Sequence, residues 1–310
     1  MKKILSILTA AVMAASALTG AVTASADEIA TGQCGDNLTW SLDSEGVLTI
    51  SGTGPMNFSD TAGYYQTYNS WTYSEYARQI KEVVIEEGVT TIGPSAFGNA
   101  GNLSNKVAYP NLKKITLPST IEVIGQAAFY ATVIENLTVP ENVKEIGSHS
   151  YQYSLIEKVK INDGVYVHPA AFCDCPNLKE AVVGANVYYG HGAGWGSENH
   201  SETIFGGCRA LEKVTILGGG TVKQRFTEIE KGLPCTMFDG CSSLKEVIIL
   251  CPNLEYVGAV NTTAANNETF ETKDTDITYY IYKDSTTEAT LKKAGYLKNA
   301  EGDKPANYVY

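Results

Sequence analysis

Apolar and polar residues along this chain fall into one phrase that keeps returning. It reads Leu112-Lys-Lys-Ile115-Thr-Leu117, Ile134-Glu-Asn-Leu137-Thr-Val139, Ile156-Glu-Lys-Val159-Lys-Ile161 and Leu178-Lys-Glu-Ala181-Val-Val183, each start 22 residues after the last. The phrase stands earlier as Ile80-Lys-Glu-Val83-Val-Ile85 and later as Leu211-Glu-Lys-Val214-Thr-Ile216 and Leu244-Lys-Glu-Val247-Ile-Ile249, at steps of 32, 33 and 33. Each longer step is one unit plus about ten inserted residues. A fixed period in this range predicts a solenoid, because so short a unit buries its apolar face only against its neighbours.

Within a unit, Ile115 and Leu117 alternate with polar residues, the period-2 signal of a short strand with one face inward. Pro118 and Pro140 end that strand, since proline has no N–H to give to a ladder. A second apolar pair follows: Val89 and Ile92, Ile121 and Ile124, or Val143 and Ile146. Gly93, Gly125 and Gly147 close it, at points where a positive φ is expected. Ala96-Phe97, Ala128-Phe129, Ser150-Tyr151, Ala171-Phe172 and Met237-Phe238 complete the coil as a predicted short helical turn on the back.

Units reading L-x-x-I-x-L-P-x-x-V/I-x-x-I-G-x-x-A-F are similar to the bacterial BspA-type leucine-rich repeat, over about residues 34–300. The resemblance implies a repeat solenoid: a right-handed leucine-rich-repeat superhelix with a short parallel β-sheet on one face, short helical or irregular turns on the other, and a cap at each end. Residues 34–52 resemble the hairpin that closes the N-terminal end, and residues 284–295 resemble the helical closing segment. Thr120 and Asn142 hold the slot of the general repeat's asparagine ladder, so no continuous ladder is expected. The resulting organisation is a signal peptide at 1–26, a hairpin cap with an aromatic-rich entry segment at 27–79, repeats at 80–276 and a capping strand and helix at 277–310. Insertions fall near 98–111, 186–204, 218–236 and 258–276.

With 44% hydrophobic and 18% charged residues the chain is too apolar for a disordered polymer. Its net charge is −11, and −13 once residues 1–26 are removed, because they carry Lys2 and Lys3 and no acid. Without a basic face there is nothing to displace counterions from phosphates, which excludes a nucleic-acid binder. Lys2 and Lys3, the apolar run over residues 4–22 and Ala24-Ser25-Ala26 form a secretory signal expected to be cleaved after Ala26. No later stretch reaches the roughly 20 apolar residues of a membrane span. The expected location is secreted or non-covalently held at a cell surface, with no membrane insertion.

Cys175, Cys208 and Cys241 each stand three residues after Phe172, Phe205 and Phe238, in a slot that Ala100, Thr132 and Ser154 fill elsewhere. Interchange of Cys, Ala, Thr and Ser points to a small buried side chain. Cys34, Cys173, Cys235 and Cys251 leave one disulfide open. His168 lies near Cys173 and Cys175, but the cysteine spacing is not that of a thioredoxin-like pair, so no catalytic residue is assigned. His149 reads as a partly buried repeat residue. His191, Glu198, His200 and Glu202 lack metal-ligand spacing and read as a solvated loop, so neither metal nor cofactor is expected.

The outward strand positions form two columns. Glu82, Lys114, Asn136, Lys158, Glu180, Lys213 and Glu246 largely neutralise one another. Val84, Thr116, Thr138, Lys160, Val182, Thr215 and Ile248 form a mildly apolar strip suited to broad contact. The insertion after the fifth strand phrase contains Tyr188, Tyr189, His191, Trp195 and several glycines, rings suited to stacking on a sugar or anchoring a protein. Tyr188, Tyr189, His191 and Trp195, with Thr116, Thr138, Lys160 and Thr215, are the candidate ligand contacts. Tyr64, Tyr65, Tyr68, Trp71, Tyr73 and Tyr76 are expected to cover the first coil. The resemblance implies a non-enzymatic protein that binds an extracellular protein or glycan in adhesion or host–microbe contact. Alternatives are an envelope or self-assembly module, a carbohydrate-binding module and, last, a cysteine hydrolase.

Overall fold

The computed structural model describes residues 26–57, 71, 75–98, 109–135, 138–190, 203–223, 228–234, 236–257, 270, 277–299, 302–303 and 307–309. The repeated phrase forms strands at Glu82–Ile85, Lys114–Thr116, Lys158–Ile161, Glu180–Val183, Lys213–Ile216 and Glu246–Ile249. They pair in parallel, and the register joins repeat counterparts: Val83 faces Ile115, Val159 faces Ala181, and Val214 faces Val247. The apolar member of each alternation is buried and the polar member is outside, as period 2 requires.

Hydrogen bonding divides this strand face into two sheets, one ending at Lys114–Thr116 and the other starting at Lys158–Ile161, because the phrase between them, expected as a strand, forms none over its described residues 134, 135, 138 and 139; each sheet is extended toward one end of the chain. An antiparallel meander, Glu28–Gly35, Leu38–Asp43 and Val47–Gly52, joins Glu82–Ile85 through its last strand. At the other end Thr278–Tyr282 pairs in parallel with Glu246–Ile249, and Asn307–Val309 pairs in parallel with Thr278–Tyr282.

The sequence predicts one strand face, and the structure has a second. The apolar pair after the proline forms strands Val89–Ile92, Val123–Ile124, Glu145–Ile146, Tyr166–Val167, Tyr188–Tyr189 and Gly220–Lys223, again parallel and in repeat register. Most have two residues and therefore one buried side chain, too short to display an alternation. The same strands move two expected boundaries. Tyr188–Tyr189 and Gly220–Lys223 belong to the coil, so the extra chain follows Gly190 and Lys223. Glu228–Gly232 then returns antiparallel to Gly220–Lys223.

The back turns are not helical. Ala128 N and Tyr130 N close successive tight turns on Gly125 O and Ala127 O, while Ala127 N, Phe129 N and Ala131 N donate to Ser148 O, Ser150 O and Gln152 O of the next coil. The pattern recurs from Tyr151 N to Ala171 O, Phe172 N to Ile204 O, and Phe205 N to Met237 O. Backbone groups on the third side are thus satisfied between coils, as on the two strand faces. This geometry needs positive φ at Ser95, Ala127, His149 and Ala170, and again at Ala131, Tyr153, Asp174, Gly207 and Gly240. Gly93, Gly125 and Gly147 are not in that region, contrary to expectation. Gly125 and Gly147 are needed for close approach, since a Cβ would lie 2.7 Å from Ile92 O and 2.6 Å from Gln126 N respectively.

The core is a ladder of rings, one per coil. Phe97, Phe129, Tyr151, Phe172, Phe205, Phe238 and Phe270 run in line, with centroids 4.9 to 5.9 Å apart. Trp71 continues it at the first coil, stacked 6.2 Å from Phe97, and its Nε1 donates to Ala96 O at 3.1 Å. Tyr109 also donates to Ala96 O, at 3.0 Å. Ala128 O, the counterpart one coil on, accepts from Phe97 N, so two side chains supply what a preceding coil would give. Tyr76 also lies near the entry, 6.3 Å from Trp40, whereas Tyr64, Tyr65, Tyr68 and Tyr73 lie outside the described residues.

Candidate functional site

Three outer faces follow from this coil. On the first strand face, charges of adjacent strands pair across it: Glu82 with Lys114 at 2.5 Å, Lys158 with Glu180 at 2.9 Å and Lys213 with Glu246 at 3.2 Å. The hydrogen bond and charge of Glu180 hold the Lys158 ammonium above its ordinary range. Between these pairs Val84 and Thr116 lie outward on one sheet of this face, and Lys160, Val182, Thr215 and Ile248 on the other. Register makes Val84 and Thr116 neighbours, then Lys160, Val182, Thr215 and Ile248. Thr116, Thr138 and Lys160 are exposed, and Thr215 is half-buried. At the corner beyond, Thr120 Oγ1 donates to Val89 O and Asn142 Nδ2 to Ser119 O, each at 2.8 Å, so two units do bond backward to the preceding coil.

On the second strand face Tyr188 faces outward, half-buried, but one face of its ring is taken by Tyr166 at 4.8 Å and 18°. Tyr166 meets His168 edge-on at 4.5 Å, and His168 Nε2 lies 2.8 Å from Glu145 Oε1. Tyr189 points inward at 2% exposed, which removes it from the residues a ligand could touch; alternation along the strand puts adjacent tyrosines on opposite sides. His191 and Trp195 lie outside the described residues.

The turn face carries a group that sequence reasoning missed. Tyr130 and Tyr153, from adjacent coils, stand edge to face with centroids 5.4 Å apart at 84°. Gln152 Nε2 donates to Asp174 Oδ2 at 3.1 Å, and Gln152 Oε1 lies 2.6 Å from His149 Nδ1. Burial, then the Asp174 carboxylate, push both phenols above their ordinary range, so the rings stay neutral. The available signal was Tyr153 itself, a bulky residue in a slot held by Ala131, Asp174, Gly207 and Gly240.

The cysteine column is internal. Cys175, Cys208 and Cys241 are fully buried, and their thiols donate to Tyr151 O, Phe172 O and Phe205 O at 3.1, 3.1 and 3.2 Å. Each bond reaches back to a ladder residue's carbonyl, whereas Thr132 Oγ1 in the same slot donates to Phe129 O of its own coil and Ser154 Oγ lies 3.5 Å from Cys175 Sγ. Burial pushes the Cys173 thiol well up and the Cys34 thiol to about 11, against thiolate chemistry; in the buried Cys175–Cys208 pair burial pushes Cys208 up, while against burial the hydrogen bonds of Cys208 and Ser154 draw Cys175 down. Cys34, Cys173 and Cys251 are free thiols, and Cys235 lies outside the described residues. His168 is engaged with Glu145, and His149 with Gln152. Among the described residues no cluster of His, Cys, Asp and Glu has the arrangement of a metal site.

Stacked coils bonded on three sides and filled by one ring per turn define a repeat protein with outer faces for use. Residues 107–192 match the model of the BspA type leucine rich repeat region in six copies. The chain is also similar to solved bacterial proteins. A leucine-rich repeat protein from Eubacterium ventriosum is 18% identical over 71% of this chain and 78% of that one, with a TM-score of 0.36. One from Bacteroides ovatus is 19% identical over 70% and 71%, with a TM-score of 0.31. The pneumococcal vaccine antigen PcpA is 13% identical over 92% and 99%, with a TM-score of 0.21. No curated protein matches. Among the described residues no helix is long and apolar enough to cross a membrane.

Proposed function

We propose that this chain is an exported, non-catalytic binding scaffold that contacts a surface macromolecule outside a bacterial cell, in adhesion or host–microbe contact. Its meander and closing helix act as caps that keep the terminal coils from exposing their apolar sides. The observation that carries this reading is the set of outward positions on the first strand face, from Val84 to Ile248. Flanking charges are spent on one another, leaving Thr, Val, Ile and one Lys outward on the two sheets of that face. Such a strip suits a broad macromolecular partner and offers no enclosure for a small substrate.

The test is binding of the labelled protein to intact bacterial and host cells. A variant with Thr116→Glu, Thr138→Glu and Thr215→Glu should keep its fold and lose most of the bound signal. A second variant with residues 191–202 replaced by a short turn separates the strip from the loop. Undiminished binding by the triple variant overturns the strip as the contact surface. A second reading, self-assembly, draws on the outermost strands Glu28–Gly35 and Asn307–Val309, each of which pairs on one side in its sheet. It requires a particle size that rises with concentration in light scattering.

A further inference from the structure

Tyr153 is the outlier of its column. The slot two residues past the ladder ring takes positive φ throughout, 55° at Ala131, 60° at Tyr153, 55° at Asp174, 73° at Gly207 and 72° at Gly240. A bulky side chain is disfavoured in the left-handed region. Core packing does not compensate, because Tyr153 remains 46% exposed. Strain that holds a ring out toward solvent is the kind that persists where a surface is used.

The neighbours give the ring a chemistry. Tyr130 stands at 84° to it, so two π faces form a corner. From the next coil Asp174 stands against this turn: Tyr153 N donates to Cys173 O at 3.1 Å, and after burial the charge of the Asp174 carboxylate helps push the Tyr153 phenol up. Asp174 is fixed by Gln152, and Gln152 in turn by His149. One coil further, Gly207 leaves the space: a Cβ there would lie 2.2 Å from Asp174 Oδ1. A carboxylate offers about four acceptor sites, and Gln152 does not exhaust them. An aromatic corner backed by a pre-positioned carboxylate with acceptor capacity is complementary to a cation that has N–H groups to donate.

We propose that Tyr130, Tyr153 and Asp174 form a recognition site for a primary alkylammonium, the lysine side chain of a partner protein, through cation–π contact with the rings and a charge-assisted hydrogen bond to the carboxylate. The site lies on the turn face, so it goes beyond the strand-strip reading and stands or falls separately from it. The probe is Nα-acetyl-lysine methylamide, titrated against the whole protein while ring signals of Tyr130 and Tyr153 are followed by NMR. Nα-acetyl-norleucine methylamide serves as the uncharged isostere and tetramethylammonium as the cation without N–H. The expected result is a saturable shift with the lysine probe, at least about tenfold tighter than with norleucine. Tyr153→Leu and Asp174→Asn should each weaken it about fivefold or more. Tyr153→Gly, which relieves the backbone, guards against misreading an unfolded variant and should also lose binding. No saturation by the lysine probe, equal binding of norleucine, binding of tetramethylammonium in preference to lysine, or folded variants that bind as the parent does would each overturn the assignment.

Discussion

At the scale of single residues, the back turns run against the intrinsic preference of their side chains. Ala127, Ala131 and Ala170 hold φ of 52°, 55° and 59°, where an L side chain is worse than glycine by about 1–2 kcal/mol. Glycine returns part of this through its more disordered unfolded state, about 0.5–1 kcal/mol. Ala131→Gly should therefore raise stability by about 0.5–1 kcal/mol, read as a higher urea midpoint at unchanged slope. Ala131→Val should lower it, because a branched Cβ worsens the same clash. A midpoint that falls with Ala131→Gly would mean that inter-coil hydrogen bonds do not hold this φ. The cysteine slot gives a second case. Cys208→Ser keeps a donor for Phe172 O and should be mild, whereas Cys208→Leu overpacks a closed site and should cost about 1–3 kcal/mol by thermal denaturation. The small-residue character of that slot was legible from Ala100, Thr132 and Ser154. The glycine reading failed at Gly125 because a required glycine signals close approach as readily as positive φ, and sequence does not separate the two.

Among the elements, the helix Thr286–Ala294 was anticipated only through the resemblance of residues 284–295 to a helical closing segment, and its capping signals were not read. Ser285 and Glu288 stand at capping-box spacing, and Gly295 ends the helix at φ 94°. Ser285 Oγ accepts from Glu288 N at 3.0 Å, as that spacing implies. The partners beyond the helix were not legible. Glu288 meets Lys292 at 2.7 Å, accepts from Asp284 N at 2.7 Å and accepts from Tyr308 Oη at 3.0 Å, which ties the strand Asn307–Val309 to the helix. The Lys292 hydrogen bond foremost, then those from Asp284 and Tyr308, hold the carboxyl below its ordinary value of 4.5 against the opposing effect of burial. A carboxylate depressed in the folded state contributes stability that is present above the unfolded pKa and lost as pH falls through the folded one. Hydrogen exchange at residues 307–309 should therefore stay slow from neutral pH down through the ordinary carboxylate range and accelerate, relative to the intrinsic rate, only below it. Glu288→Gln should cost about 1–3 kcal/mol at pH 7 and abolish that acid-dependent loosening. A variant that keeps the parent's acid response would show that another group anchors the strand. The second strand face escaped prediction for a different reason: Val123–Ile124 and Glu145–Ile146 are too brief for any period to register.

Across the whole molecule, sequence and structure agree best where interactions repeat and least where one coil differs. The step of 22 fixed the strand register, but the corner at Tyr130, Tyr153 and Asp174 joins three coils through side chains on turns, and no spacing rule marks it. The same nearest-neighbour architecture governs how the chain should unfold. Each ring of the ladder touches the one before and the one after, and each back turn bonds to its two neighbours, so cooperativity passes along the stack only through successive interfaces. Phe172 sits midway, stacked between Tyr151 at 4.9 Å and Phe205 at 5.5 Å, with its carbonyl accepting the Cys208 thiol. Phe172→Ala should remove about 3–5 kcal/mol locally and weaken both interfaces of one coil while leaving the ends intact. Calorimetry should then show two transitions for the variant and one for the parent. Hydrogen exchange should accelerate around residues 151–178 before it does at Val83 or Val247. Phe97→Ala, next to Trp71, should instead lower one transition without splitting it, because only a terminal unit is loosened. A Phe172→Ala protein that still unfolds in one step, with exchange raised evenly from end to end, would show that coupling reaches beyond adjacent coils and that the stack behaves as an undivided globule.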